Sequence, residues 1–142
     1  MGQKAHLTAM AGEFHVMESL FRLGYEPALT LGSAKSIDIL VKTSSDELYA
    51  ISVKSIRKFG KWGVGKEDYS SGEKDRKMIF VFLHYKSFSD LDKPPEAWVI
   101  PAQDVERLKR PWHGDTFAVY CSNEKDRKEL EGYKSAWEKY LK

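Results

Sequence analysis

Three residues carry the chemistry that has to be weighed first: Glu13, Asp38 and Lys54. Two carboxylates brought within reach of one another can hold a divalent cation through oxygen ligands. A lysine beside them can meet the negative charge of a phosphate. Asp38 lies inside the apolar run I-D-I-L-V, although aspartate is depleted from strands. Lys54 ends the run I-S-V-K, and Ser52 stands two residues before it.

The stretch from Ser36 to Lys54 must position two of these residues. It reads as two strands joined by a tight polar turn, because apolar and polar residues alternate with the period of a pleated strand. Ile37, Ile39 and Val41 share one side of the first strand, and Asp38, Leu40 and Lys42 the other. In the second strand Tyr49, Ile51 and Val53 oppose Leu48, Ala50, Ser52 and Lys54. Residues facing each other across an antiparallel pair point to the same side. A loop from Thr43 to Glu47, odd in length and centred on Ser45, therefore sets Asp38 opposite Ser52. An even loop would set it opposite Val53 or Ile51 and break the cluster, unless a bulge restored the phase.

Glu13 needs a helix. Leu7, Met10, Phe14, Met17 and Leu20 or Phe21 recur at steps of three and four, which predicts an amphipathic helix from about His6 to Leu23 with this stripe inward. Gly24 is placed to end it in a left-handed turn. Glu13 neighbours Ala9, Val16 and Leu20, at the edge of the apolar face, where a carboxylate requires a cation, a metal or water.

The remaining chain supplies a scaffold. Tyr25 to Leu31 reads as an edge strand bent by Pro27. After Lys54 the segment S-I-R-K-F-G-K-W-G-V-G-K has several cations, no acid and three glycines, and reads as a mobile basic loop. Met78 to His84 is an apolar run of strand length, central in a sheet. Ala97 to Ile100 is a further strand, and Pro101 opens a helix through Arg110. Thr116 to Tyr120 is a last strand, and a C-terminal helix from about Asn123 carries Leu130, Tyr133, Trp137 and Tyr140 or Leu141 on one stripe. The order predicts an α/β fold: a single domain over residues 1–142 with a mixed central sheet flanked by helices.

Composition narrows the function classes. With 42% hydrophobic and 31% charged residues in 142, the chain holds one real core and no apolar run of membrane-spanning length. No signal-peptide core precedes the helix, and His6 stands where a myristoylation site has Ser or Thr. The lone Cys121 excludes an internal disulfide framework and fits a reducing, cytoplasmic setting, as a packed residue rather than a nucleophile. The four histidines have no metal-ligand spacing, and G-K-W-G-V-G-K lacks the ending of a nucleotide-binding loop.

The helix with Gly12-Glu13, then I-D-I-L-V (37–41), then I-S-V-K (51–54) resembles the PD-(D/E)XK nuclease superfamily, which includes restriction-type endonucleases and Holliday-junction resolvases. The resemblance covers about the first hundred residues and includes Val99 to Pro101 before a helix. It implies a restriction-endonuclease-like core and a metal-dependent nuclease that hydrolyses phosphodiester bonds in DNA. It also implies a catalytic set of Glu13, Asp38, Ser52 and Lys54, with Mg²⁺ or Mn²⁺ held by Glu13 and Asp38. Ser52 departs from the pattern: it stands where such nucleases carry an acid, and a neutral hydroxyl is a weak ligand for Mg²⁺. Arg57, Lys58, Lys61 and Lys66 would grip phosphates, and Trp62 or Phe59 would stack on an exposed base. The fold's usual partner is DNA, and a homodimer that cuts two strands is within the resemblance. Two other functions fit the same residues: a binding module on this fold that has lost its chemistry, and a protein-interaction domain whose basic loop meets an acidic partner. Taken singly, Glu13 can pair with a lysine, Asp38 can cap the loop at Gly32-Ser33, and Lys54 can extend from a strand end to water.

Overall fold

A computed structural model describes residues 2–30, 37–65 and 77–142. The expected positions Leu31, Gly32 to Ser36 and Lys66, and the polar stretch up to Arg76, lie outside the described residues.

Helix α1 (Gln3–Arg22) ends at Gly24, whose φ of +91° is the left-handed conformation that favours glycine. Tyr25 N–H returns to Leu20 O at 3.0 Å to close the helix end. The main sheet has strand order β1-β2-β3-β5-β6, with β1 (Glu26–Leu29), β2 (Ile39–Lys42), β3 (Leu48–Ile56), β5 (Lys77–His84) and β6 (Glu96–Pro101). Among the described residues only β3 and β5 of this sheet run parallel. The crossover between them contains β4 (Lys61–Val64), which pairs with β8 (Phe117–Tyr120) and, through it, β7 (Arg110–Pro111) in a separate three-stranded sheet.

Strand β5 shows how the core is divided. Ile79, Val81 and Leu83 join Val16 and Leu20 under α1, while Phe80 and Phe82 join Trp62, Trp98 and Val119 on the opposite face. A strand buried on both sides has no polar face, hence the unbroken apolar run M-I-F-V-F-L.

Three expectations are corrected. The buried side of α1 is Thr8, Gly12, Val16 and Leu20, whereas Leu7, Phe14 and Phe21 of the expected stripe face solvent. The reason is close approach: a Cβ on Gly12 would lie 1.9 Å from Ser55 Oγ and 3.3 Å from Leu83 Cδ1. The helix packs through its smallest residues rather than its largest. Second, the basic segment is not a mobile loop throughout, because β3 extends to Ile56 and β4 begins at Lys61. Third, the C-terminal helix is broken. Helix α2 (Ala102–Leu108) is followed much later by α3 (Glu124–Glu129), capped by the Asn123 side chain accepting from Asp126 N–H at 2.8 Å. A 3₁₀ turn (Glu131–Tyr133) and α4 (Trp137–Tyr140) come next. Between them the chain pairs with β6, with Ser135 N–H on Ala97 O at 2.8 Å, and that ladder contact replaces a helical turn.

Gly12→Ala is expected to lower stability in thermal or chemical denaturation. Overpacking costs about 1–3 kcal/mol, partly offset by about 1 kcal/mol of helix propensity. Removing the obstructing hydroxyl with Ser55→Ala should recover part of the loss.

Candidate functional site

The site begins with the hairpin register. Ile39 pairs with Ile51 and Lys42 with Leu48, leaving the expected odd loop 43–47, but the regular pairing ends at Ile39 and does not set Asp38 opposite Ser52. Asp38 is the last residue held in that ladder: its N–H donates to Ile51 O at 2.9 Å. One step further on, the acceptor is the Asp38 side chain and not a carbonyl, with Val53 N–H donating to Oδ2 at 2.7 Å. Ile37 O meanwhile accepts from the Thr30 hydroxyl, and Asp38 O accepts from Thr30 N–H at 3.0 Å. The carboxylate thus occupies a ladder position where β2 parts from β3. An aspartate within a strand is explained by this: its side chain completes a hydrogen bond that the departing backbone gives up.

From that position Asp38 is accessible to α1. Glu13, half-buried, lies next to it and its carboxyl is raised from 4.5 to about 7. Burial is the largest cause, followed by the Asp38 charge and a hydrogen bond between the two carboxyls. Gly12 makes this approach possible, since a side chain there would lift the helix off β3. Two carboxyl groups pressed together and holding a proton are a donor set that a hard divalent cation suits, replacing the proton with charge. Mg²⁺ commonly takes only one or two carboxylates and completes its shell with water and phosphate. Among the described residues no group of three or more His, Cys, Asp or Glu converges.

Ser52 and Lys54 follow on the same side of β3, two residues apart. Ser52 is 1% exposed and pairs in register with Phe80, so it is part of the core. Lys54 is half-buried and pairs with Phe82.

The basic segment divides. Arg57 is taken up internally: its Nε donates to Thr8 Oγ1 at 2.7 Å and its guanidinium lies 3.7 Å from the Phe88 ring centre. Lys58 is exposed. Trp62 is 1% exposed and its Nε1–H donates to Leu83 O at 2.9 Å, so it cannot stack on a base and its assignment to nucleic-acid binding is corrected. It points inward because alternation along β4 puts Lys61 and Gly63 outside. Phe59 is stacked on His84 at 3.7 Å, with Arg127 above it. The exposed ring that the sequence reading does not assign to nucleic-acid binding is Trp112, 44% exposed, packed close to Gly63 with Lys61 4.8 Å from its ring centre. The signal available was its place in the short polar turn P-W-H-G-D between two strands.

The chain matches no family model and no curated protein. Solved structures do resemble it. A bacterial homing endonuclease superposes with a TM-score of 0.56 at 18% identity, over 96% of this chain and 92% of that one. A Holliday junction resolvase from the archaeal hyperthermophile Archaeoglobus fulgidus gives a TM-score of 0.55 at 10% identity, over 82% and 91%. The chain has the restriction-endonuclease-like fold. At these identities the likeness speaks for architecture, and the residue roles rest on the geometry above. No helix among the described residues is long and apolar enough to cross a membrane.

The raised Glu13 carboxyl makes a pH prediction. Unfolded Glu13 ionises near its ordinary 4.5 and folded Glu13 near 7, so between these values the folded state holds the extra proton and stability falls as pH rises. Glu13→Gln should remove this fall. Its advantage over the wild type should open between pH 4.5 and 7 and stay constant above, at about 1–2 kcal/mol once solvent screening is allowed for, in denaturation curves run across pH without divalent ions.

Proposed function

We propose that this protein is a metal-dependent nuclease that hydrolyses phosphodiester bonds in DNA, with Glu13, Asp38 and Lys54 as its working side chains and Ser52 beside them. The single observation that carries the reading is the carboxyl pair: Asp38 held by Val53 N–H and Glu13 raised to about 7 against it, on a restriction-endonuclease-like fold. Such a pair destabilises a protein that has no use for it.

Glu13 and Asp38 would hold Mg²⁺ or Mn²⁺. When bound, the ion supplies Lewis acidity toward the scissile phosphate and lowers the pKa of water. The chain's own parts are then simple. Val53 N–H fixes one oxygen of Asp38, which sets the direction of the other. Glu13 gives up its proton on metal binding, so affinity should rise with pH through about 7. Lys54, two residues along β3 from Ser52, meets charge developing on the phosphate. Lys58 and Lys61 would contact flanking phosphates, and Trp112 offers the ring that Trp62 does not.

Ser52 supports a second reading. A neutral, buried residue two positions before Lys54 leaves the metal two protein carboxylates, which suits a nucleic-acid-binding module of the same fold without hydrolysis.

Cleavage of supercoiled, single-stranded and branched DNA with Mg²⁺ or Mn²⁺ tests the proposal. Activity is expected in the wild type and a loss of about 10²–10³-fold in Lys54→Ala. Cleavage equal in both would discard the site. No cleavage, with binding that weakens by about 0.9 log units per phosphate contact for each log unit of salt, would establish the binding module instead. Ser52→Glu should tighten Mg²⁺ binding in either case and improve cleavage only if the wild type cleaves.

A further inference from the structure

Helix α1 has two apolar faces, and the fold uses one. Thr8, Gly12, Val16 and Leu20 meet the sheet. On the far side Leu7, Phe14 and Phe21 recur every seven residues and are 51%, 55% and 58% exposed. Met10 and Met17, partly exposed, fill the positions three residues after Leu7 and Phe14, at the edge of this face, where Met17 also packs against the core. That spacing is the a/d pattern of a coiled-coil seam, and within Gln3–Arg22 it runs from Leu7 to Phe21. Scattered exposed apolar residues are ordinary; a line of large ones on one helix marks an interface.

We infer that α1 is the self-association surface of this chain, packing antiparallel against α1 of a second copy about a two-fold axis. An interface between identical surfaces has to be self-complementary. Parallel and antiparallel pairs both satisfy this, and the packing of this seam favours the antiparallel one. Its a positions are bulky and its d positions are methionines, with Gly24 at the next d position. Antiparallel pairing sets Phe21 against Met10 and Phe14 against Met17 of the partner, so each aromatic ring meets a pliable side chain. Parallel pairing would stack Phe14 on Phe14 and leave the methionines facing one another.

Charge also favours a second copy over a charged partner. The flank of the seam away from Glu13 carries Lys4, Glu18 and Arg22, and Glu18 and Arg22 pair at 3.3 Å, so no row of one sign forms there. The area sets the strength. Half-exposed Leu and Phe leave on the order of 100 Å² each, and the seam with its flanks buries on the order of 1,000 Å² in a pair of copies, the lower end for a specific interface. The dimer is therefore weak and dependent on concentration.

A two-fold axis perpendicular to two antiparallel helices keeps the same flank of each on one side. Glu13, beside Phe14 on the flank toward the sheet, would thus lie on the same side of the dimer as its counterpart. The inference rests on α1 alone and does not require the nuclease reading.

Sedimentation velocity from low-micromolar to submillimolar concentration tests it. The wild type should shift from monomer to dimer, and Phe14→Glu should remain monomeric with an unchanged circular-dichroism melt, since Phe14 is 55% exposed. For orientation, Met10→Cys and Phe21→Cys chains are mixed and mildly oxidised; native Cys121 is fully buried and stays out of the reaction. The mixture should give severalfold more cross-linked dimer than either variant alone. A wild type monomeric at every concentration, a dimer that Phe14→Glu leaves intact, or equal cross-linking in the mixture and the single variants would each overturn the inference.

Discussion

The chemistry of this chain depends on the parity of one loop. Residues 43–47 join β2 to β3, and their odd count sets the register in which Ile39 faces Ile51, Asp38 N–H reaches Ile51 O and Val53 N–H reaches the Asp38 side chain. The loop is held by Thr43 N–H on Glu47 O at 2.9 Å and Asp46 N–H on Thr43 O at 3.0 Å, with Asp46 at a φ of +68°. Aspartate tolerates that left-handed turn better than most residues. The same phase buries Ile39 and Val41 against α1. A slip of one residue would expose both, at about 1.5–3 kcal/mol each, and carry Asp38 to the wrong face. Core and site thus enforce one another, and the hydrophobic pattern that folds the hairpin also sets the acid.

The second constraint is distance. Helix α1 sits close enough to β3 that Gly12 touches Ser55, whose hydroxyl is buried with no hydrogen-bond partner. This approach brings Glu13 to Asp38 and lifts its carboxyl to about 7. A stability-minded sequence would avoid both features: an orphaned hydroxyl and two acids in contact. Local rules broken in one place, around residues that share a fold with nucleases, are where function is to be sought.

The hairpin with its odd loop and the buried β5 were legible because alternation with a period of two has a single reading once loop length is known, whereas the expected pairing of Asp38 with Ser52 fails where β2 leaves the regular ladder: Asp38 N–H reaches Ile51 O, and its side chain takes the Val53 N–H. The α1 stripe misled because it is real but faces outward. Periodicity reports that a face is apolar, not what covers it, and the true packing face of Thr8, Gly12, Val16 and Leu20 is modest in hydrophobicity. Trp62 was misassigned for a related reason. Glycines and lysines around it disguise a strand, β4, whose partner β8 lies some sixty residues away, and non-local pairing leaves no trace in local composition. The break in the C-terminal helix at Lys134 and Ser135 was hidden in the same way, since its cause is the edge of β6.

That same contact has a consequence for the sheet as a whole. A sheet edge is a row of unsatisfied donors and acceptors, a template on which another extended chain can grow. Here the β6 edge is engaged at Ala97 and Trp98 by the chain's own residues 134–135, and the β1 edge carries Pro27, which has no N–H to offer. Both ends of the main sheet are thereby discouraged from strand addition. Residues 134–135, by occupying the β6 edge, guard that end of the sheet against fibril-like growth.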